Sequence, residues 1–196
     1  MSKTNVNDPN EIILGSGDLY MVEFSGSTIP DDKTIETEDN RAGNIQGGAS
    51  LEYKADTKQV SDDQGHVRKT IITKETVTMK TGLITWCPAW VQAVIQTARV
   101  DESTKPGHRI YKIGGLGNRN KKNYLYRFVH TRDDGRKLRL TVTGKNTGTA
   151  GLKFDPEKET ALDAEITADP LDTEGTLVIL DDEQPANSLP ASDPAM

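Results

Sequence analysis

The chain has little of what enzymes and metal proteins build their sites from. Its 196 residues include one cysteine, Cys87, three histidines, and aromatic residues at only 5%. A single cysteine excludes an internal disulfide framework and a four-cysteine zinc site, and it fits a reducing compartment. His66, His108 and His130 stand far apart, and none lies three or four residues from another or from Cys87. A metal centre or a Cys–His pair would have to be assembled wholly by the fold. No apolar run approaches the roughly 18–20 residues that cross a bilayer. Residues 1–11 are polar and acidic, without the basic-then-apolar pattern of a secretory leader. Lys and Arg number 24 against 30 Asp and Glu, a net charge of −6. A protein whose main task is gripping phosphate carries the opposite sign. The length suits one domain with arms, able to bury roughly 70% of its unfolded surface.

What is present is short β-patterned runs punctuated by glycine and polar turns. Asp18–Phe24 reads as a first strand. Leu138, Leu140 and Val142 alternate with Lys137, Arg139, Thr141 and Thr143, the pattern of a strand with one face in solvent. Arg132-Asp133-Asp134-Gly135 joins it to Tyr124–His130 as a hairpin, because Gly accepts positive φ. Thr160, Leu162, Ala164, Ile166 and Ala168 form another apolar face, and a last strand is expected over Thr176–Leu180. Only 86–98 reads as helix. Pro88 suits a first turn, and Trp86, Trp90, Val91, Val94, Ile95 and Ala98 recur at spacings of three and four. With both tryptophans on it, this segment is expected to anchor the core.

The segment 43–81 is different. Two β-rich arms, Gln46–Ala55 and Arg68–Thr81, flank the polar stretch Lys58–His66, with Asp62, Asp63, Gln64 and Gly65 at its centre. On the second arm Thr70, Lys74, Thr76, Thr78 and Lys80 alternate with Ile71, Val77 and Met79. A long hairpin that is polar on both sides cannot be stabilised by burial within its own domain. Left alone, its edges invite aggregation, and pairing with neighbouring copies removes the hazard. The ends read as arms: 1–13 at the start and a Pro-rich acidic tail, 182–196, at the other end, around a β domain of 14–181.

Motifs for chemistry are missing. Gly114-Gly115-Leu116-Gly117 lacks the Lys-Ser/Thr ending of a phosphate loop and reads as a tight turn. Gly48-Ala49-Ser50 lacks the second glycine of a nucleophile elbow. Asp31-Asp32, Asp62-Asp63 and Asp133-Asp134 sit in turns, without the alternating acids of a calcium loop. No catalytic, cofactor or metal residues are assigned. Glu159, Asp163, Glu165 and Asp169 lie on one side of one strand. Such a face is ordinarily solvated, but in a closed ring it would gather equivalent charges at a shared lumen, within reach of a Debye length of about 8 Å.

The runs EDNRAGNIQGGASLEYK (38–54) and KTIITKETVTMKTGLITW (69–86) resemble the major tail tube proteins of long-tailed phages of Gram-positive hosts. So do GSGDLYMVEF (15–24), ARV (98–100), YKIGGLGN (111–118) and DAEITADPLDTEGTLVI (163–179), in order over 15–180. The resemblance implies two packed antiparallel sheets, a β-sandwich or barrel, with one flanking helix and a long protruding hairpin. It implies hexameric rings stacked into a hollow tube in the virion, assembled in the host cytoplasm, with no cofactor, catalytic residue or membrane. Partners would be further copies, the tape measure, terminator and distal tail proteins, and double-stranded DNA passing without tight binding. Glu159, Asp163, Glu165 and Asp169 are then candidate lumen residues that repel phosphate, and Lys58, Asp62, Asp63, Gln64, Gly65 and His66 a candidate inter-ring loop. A tube protein of a contractile or secretion-like machine is an alternative reading, and a carbohydrate-binding β-sandwich a weaker one, since few aromatics are to spare.

Overall fold

The computed structural model describes residues 15–26, 28–64, 66–85, 87–151, 157 and 160–185. The elements in order are β1 (Asp18–Glu23), α1 (Asp32–Ile35), β2 (Arg41–Gly43), β3 (Ile45–Ser61), β4 (Arg68–Leu83), α2 (Pro88–Val94), β5 (Arg99–Asp101), β6 (Ile110–Lys112), β7 (Tyr124–Thr131), β8 (Lys137–Asn146), β9 (Leu162–Asp169) and β10 (Ile179–Asp182). Eight strands make one antiparallel sheet in the order β2-β1-β7-β8-β9-β4-β3, with β10 beside the first half of β8. β5 and β6 form a separate ribbon. The hydrogen bonding is therefore that of a single large sheet, and a second, four-residue helix joins the one expected.

Alternation in the strands lays the core on one face. Leu19 and Met21 of β1, Tyr126 of β7, Val142 of β8, Ile166 of β9 and Met79 of β4 are all buried there, with α2 packed on top. Trp90 meets Tyr126 edge-on, ring centres 6.1 Å apart at 87°, a favoured aromatic geometry. Trp90, Val91 and Val94 are buried and Ile95 packs against them, while Trp86 lies outside the described residues. Cys87 caps α2 by accepting from the Trp90 amide at 3.3 Å. The helix is shorter than the periodicity predicts because other elements take its last carbonyls. Asn146 donates to Val94 O at 2.9 Å, and the Asn120 amide donates to Gln96 O at 2.6 Å.

The β7–β8 hairpin turns as expected. The Gly135 amide donates to Arg132 O at 2.9 Å, and Gly135 adopts φ 87°. Its polar face, however, is not in solvent. Arg139, Thr141 and Thr143 are buried, as is Arg127 opposite, because α1 and its flanks cover them. Ile35 fills an apolar pocket with Phe24, Leu125 and Leu171. Beside it Glu36 accepts from Lys137 Nζ at 2.8 Å and Arg139 Nε at 2.5 Å, Arg127 pairs with Asp32, and Arg139 Nη1 reaches Glu183 at 2.6 Å. Arg132 adds a bond to Asp182 at 2.7 Å. The last strand thus sits at Ile179–Asp182, later than Thr176–Leu180. Asp172 holds the preceding residues in a loop by accepting from the Glu174 and Thr176 amides at 2.9 and 3.0 Å.

This cluster makes stability depend on pH. Burial alone would raise the Glu36 pKa, but the bonds from Lys137 and Arg139 outweigh it and hold the carboxyl below its ordinary value of 4.5. Glu183 is lowered by its bonds from Arg139 and the Lys137 amide. A lowered folded-state pKa stabilises the protein fully above the unfolded value, and the contribution disappears as pH falls through the folded value. Glu36→Gln should therefore cost about 1–3 kcal/mol at pH 7, a deficit that shrinks progressively as pH falls below the ordinary value of 4.5. Denaturant melts at several pH values test this, and a deficit constant down to pH 3 would contradict it.

Candidate assembly interface

The β3–β4 hairpin is the part of the molecule that the domain does not complete. The strands run 17 and 16 residues, longer than the arms expected from the sequence. Lys58 is not in a loop: it pairs with Ile71, and pairing continues to Ser61 opposite Arg68. The inter-ring loop expected over 58–66 shrinks to the turn 62–67. There Asp62 accepts from the Val67 amide at 2.9 Å, its own amide donates to Val67 O at 3.1 Å, and His66 Nδ1 lies 3.7 Å from its carboxylate. Asp63 and Gln64 are exposed in the turn, and Gly65 lies outside the described residues.

At its root the hairpin belongs to the sheet. β9 pairs with β4 from Thr78 to Leu83, and Val77, Met79 and Leu83 are buried. Beyond that, every residue from Arg68 to Glu75 is exposed. Among the described residues no strand pairs with the outer edge of β3, nor with β4 between Arg68 and Val77 on the side away from β3. That β4 edge alone extends about 30 Å. Tyr53, Val60, Val67, Ile71 and Ile72 of this hairpin are exposed, as are Ile113, Leu116 and Leu180 elsewhere.

Two irregularities shape it. At the root, Gly47 and Gly48 take φ 74° and 75° in a bulge between the pairs Ile45–Leu83 and Ala49–Thr81. Glycine adopts such angles without strain. Further out, Asp56 pairs with Lys74 but Thr57 with Ile72, leaving Thr73 as an extra residue whose hydroxyl donates to Asp56 O at 3.0 Å. A bulge inverts the alternation beyond it. Ile71 therefore joins the face of Lys74, Thr76, Thr78 and Lys80, while Thr70 joins that of Val77 and Met79, the reverse of the sequence expectation.

The acids of β9 lie on the face of the sheet opposite α2. Asp163 and Asp169 are exposed and Glu165 half-buried there, while Glu159 is outside the described residues. Residues 160–185 contain no Lys or Arg at all. The acidic face is nonetheless mixed. Lys80 stands between Glu52 and Glu165, at 3.7 and 3.8 Å, and the lysines of the hairpin continue the same face. A shallow cavity of about 370 Å³ lies at this root, lined by Gly47, Gly48, Lys80, Asp163 and Glu165. Among the described residues no group of three or more His, Cys, Asp or Glu could hold a metal ion. The buried Arg127, Arg139 and Glu36 escape sequence reading, because the partners are about a hundred residues apart. No protein-family model and no curated protein matches the chain.

The distal hairpin contributes nothing to the core, so it is separable from the fold. Replacing Thr57–Thr73 by Asn-Gly, which suits a two-residue hairpin turn, should leave the thermal midpoint within about 3 °C of the parent. Self-association, read by sedimentation velocity, should be lost. A collapsed midpoint, or association equal to the parent's, would contradict this division.

Proposed function

We propose that this chain is a structural tube subunit, of the kind its sequence resembles in long-tailed phages, assembling as stacked hexameric rings around a lumen. One observation carries the reading: a long hairpin projecting from the sheet, with both edges unpaired among the described residues and exposed apolar side chains on both faces. Monomeric proteins blunt such edges with very short strands, proline, a covering element, bulges or charged side chains, and of these the hairpin has only bulges and charged side chains. Here 17 residues of edge strand are left open, and no proline occurs in β3 or β4. Pairing between copies satisfies the backbone groups and covers Tyr53, Ile71 and Ile72 in one step.

The sheet face carrying Asp163, Glu165 and Asp169 is the proposed lumen wall. Asp163 and Asp169 are exposed on this side at the β9–β4–β3 end, while α2 occupies the other side. Exposed carboxylates repel the phosphates of passing DNA, and Lys80 moderates that field at the hairpin root. The chain's role in this reading is mechanical, and its side chains are placed for pairing and for low adhesion.

Negative-stain microscopy of the purified protein across a concentration series tests the reading. Rings or tubes of constant diameter are expected to appear as concentration rises. A protein that stays monomeric at the highest attainable concentration would overturn it.

A further inference from the structure

The charges of this acidic chain are segregated. Residues 103–132 contain eight Lys and Arg and no Asp or Glu. Two of the eight, Arg127 and Arg132, are buried against acids of the α1 and β10 regions. The other six, Lys105, Arg109, Lys112, Arg119, Lys121 and Lys122, are exposed on the β5–β6 ribbon and the loop that follows it. Acids from outside the segment meet three of them. Glu102 accepts from Arg109 Nε at 2.5 Å, Asp101 from Lys112 Nζ at 2.7 Å and Glu23 from Lys122 Nζ at 2.6 Å. Among the described residues no acid lies within ion-pair distance of Lys105, Arg119 or Lys121, nor of Arg99 on β5.

The fold gathers these unpaired cations around an apolar tip. Arg99 stands directly opposite Lys112 in the ribbon, a placement that costs stability because like charges face each other. The Asn120 amide donates to Gln96 O at 2.6 Å, which brings Arg119 and Lys121, on either side of it, close to the start of β5 at Arg99. Between Lys112 and Arg119 the chain makes a glycine-rich turn. The Asn118 amide donates to Gly115 O at 2.9 Å, and the Asn118 side chain to Gly114 O at 3.2 Å. Ile113 is exposed beside this turn, and Leu116 within it is 82% exposed. A side chain placed at Gly114 or Gly117 would meet nothing within 4 Å, so the turn stands clear of the body.

A projecting leucine with unpaired cations behind it fits an occupant that is anionic at its surface and apolar beneath. A bilayer containing acidic lipids has that layering: its headgroups attract Lys and Arg, and its acyl boundary accepts apolar side chains. An acidic peptide would need a groove for its own apolar residues, which a turn standing clear of the body does not form. A nucleic acid would engage the cations and leave Leu116 in water. We infer that the 113–121 turn, together with Arg99, is a peripheral docking surface for an anionic lipid bilayer. Ile113 and Leu116 enter the headgroup boundary, and Arg99, Arg119 and Lys121 hold acidic headgroups. The turn is bonded to the chain just past α2, whereas the carboxylates of β9 lie on the sheet face opposite α2, so docking leaves that acidic face turned away. One copy carries the whole surface, and the inference does not rest on the tube reading.

Co-sedimentation of the full chain with lipid vesicles, at a protein concentration too low for self-association, tests this. Vesicles of phosphatidylcholine with about 30% phosphatidylserine should bind the protein. Vesicles of phosphatidylcholine alone should not, and binding should weaken as salt rises. R119Q/K121Q should lower the affinity at least about tenfold, since each cation near an acidic surface contributes roughly fivefold. Leu116→Ser should lower it about threefold or more. The substituted side chains are exposed, so the thermal midpoint of each variant should match the parent's. K69Q/K74Q, which removes as many exposed cations from the hairpin, should bind as the parent does. Absence of binding to the acidic vesicles, or an equal loss in K69Q/K74Q, would overturn the inference. So would parental binding by Leu116→Ser, which would reduce the contact to charge alone, or equal affinity for duplex DNA, which would make the partner a polyanion. None of these results bears on ring or tube formation, which microscopy reads separately.

Discussion

Backbone N–H and C=O groups along a sheet edge must find partners, and in this chain two long edges find none within the described domain. That requirement organises the rest. Each unpaired strand edge is a template for another strand, and proteins that remain monomeric cover or shorten such edges. Here the opposite has happened: β3 and β4 run far past the point where β9 stops supporting them. Their outer parts gain nothing from burial, so their composition of threonine, lysine and scattered isoleucine follows from a surface that pairs without packing on its own core.

The remainder of the fold supplies a stiff base. On one side of the sheet α2 sets Trp90 edge-on to Tyr126 and closes the apolar layer. On the other side α1 brings Ile35 into a small apolar pocket and Glu36 between Lys137 and Arg139. A buried charge cluster of this kind tolerates little displacement, because losing one partner leaves the others desolvated. It fixes three segments that are distant in sequence, including β10, to the same face. The hairpin therefore projects from a domain clamped on both sides of its central strands, and movement in the projecting part need not disturb the core.

Much of this is legible in the sequence where the physics is local. Leu162, Ala164 and Ile166 face the core as their alternation requires, and Gly135 makes the turn its neighbours need. The two-sided polarity of 68–80 announced a strand that its own interior would not cover. What the sequence hid depends on distant partners. The polar face of β8 looked solvated, yet Arg139, Thr141 and Thr143 are buried because acids from the α1 region arrive to meet them. Trp90 and Val91 promised a longer helix, and Asn146, some fifty residues away, ends it. One unpaired residue, Thr73, exchanges the faces of Thr70 and Ile71, and no periodicity in a strand of threonines and lysines reveals where such a bulge falls.

In the proposed assembly the open edges of one copy are completed by another. Amide hydrogen exchange of the assembled and the dissociated protein, compared residue by residue, reads those edges directly. It should show new protection at alternate residues of 50–58 and 68–77 on assembly, with the protection of Val77, Met79 and the central strands already present beforehand. Assembled particles in which those two stretches exchange as fast as in the monomer would contradict it, because copies would then be joined through some other surface.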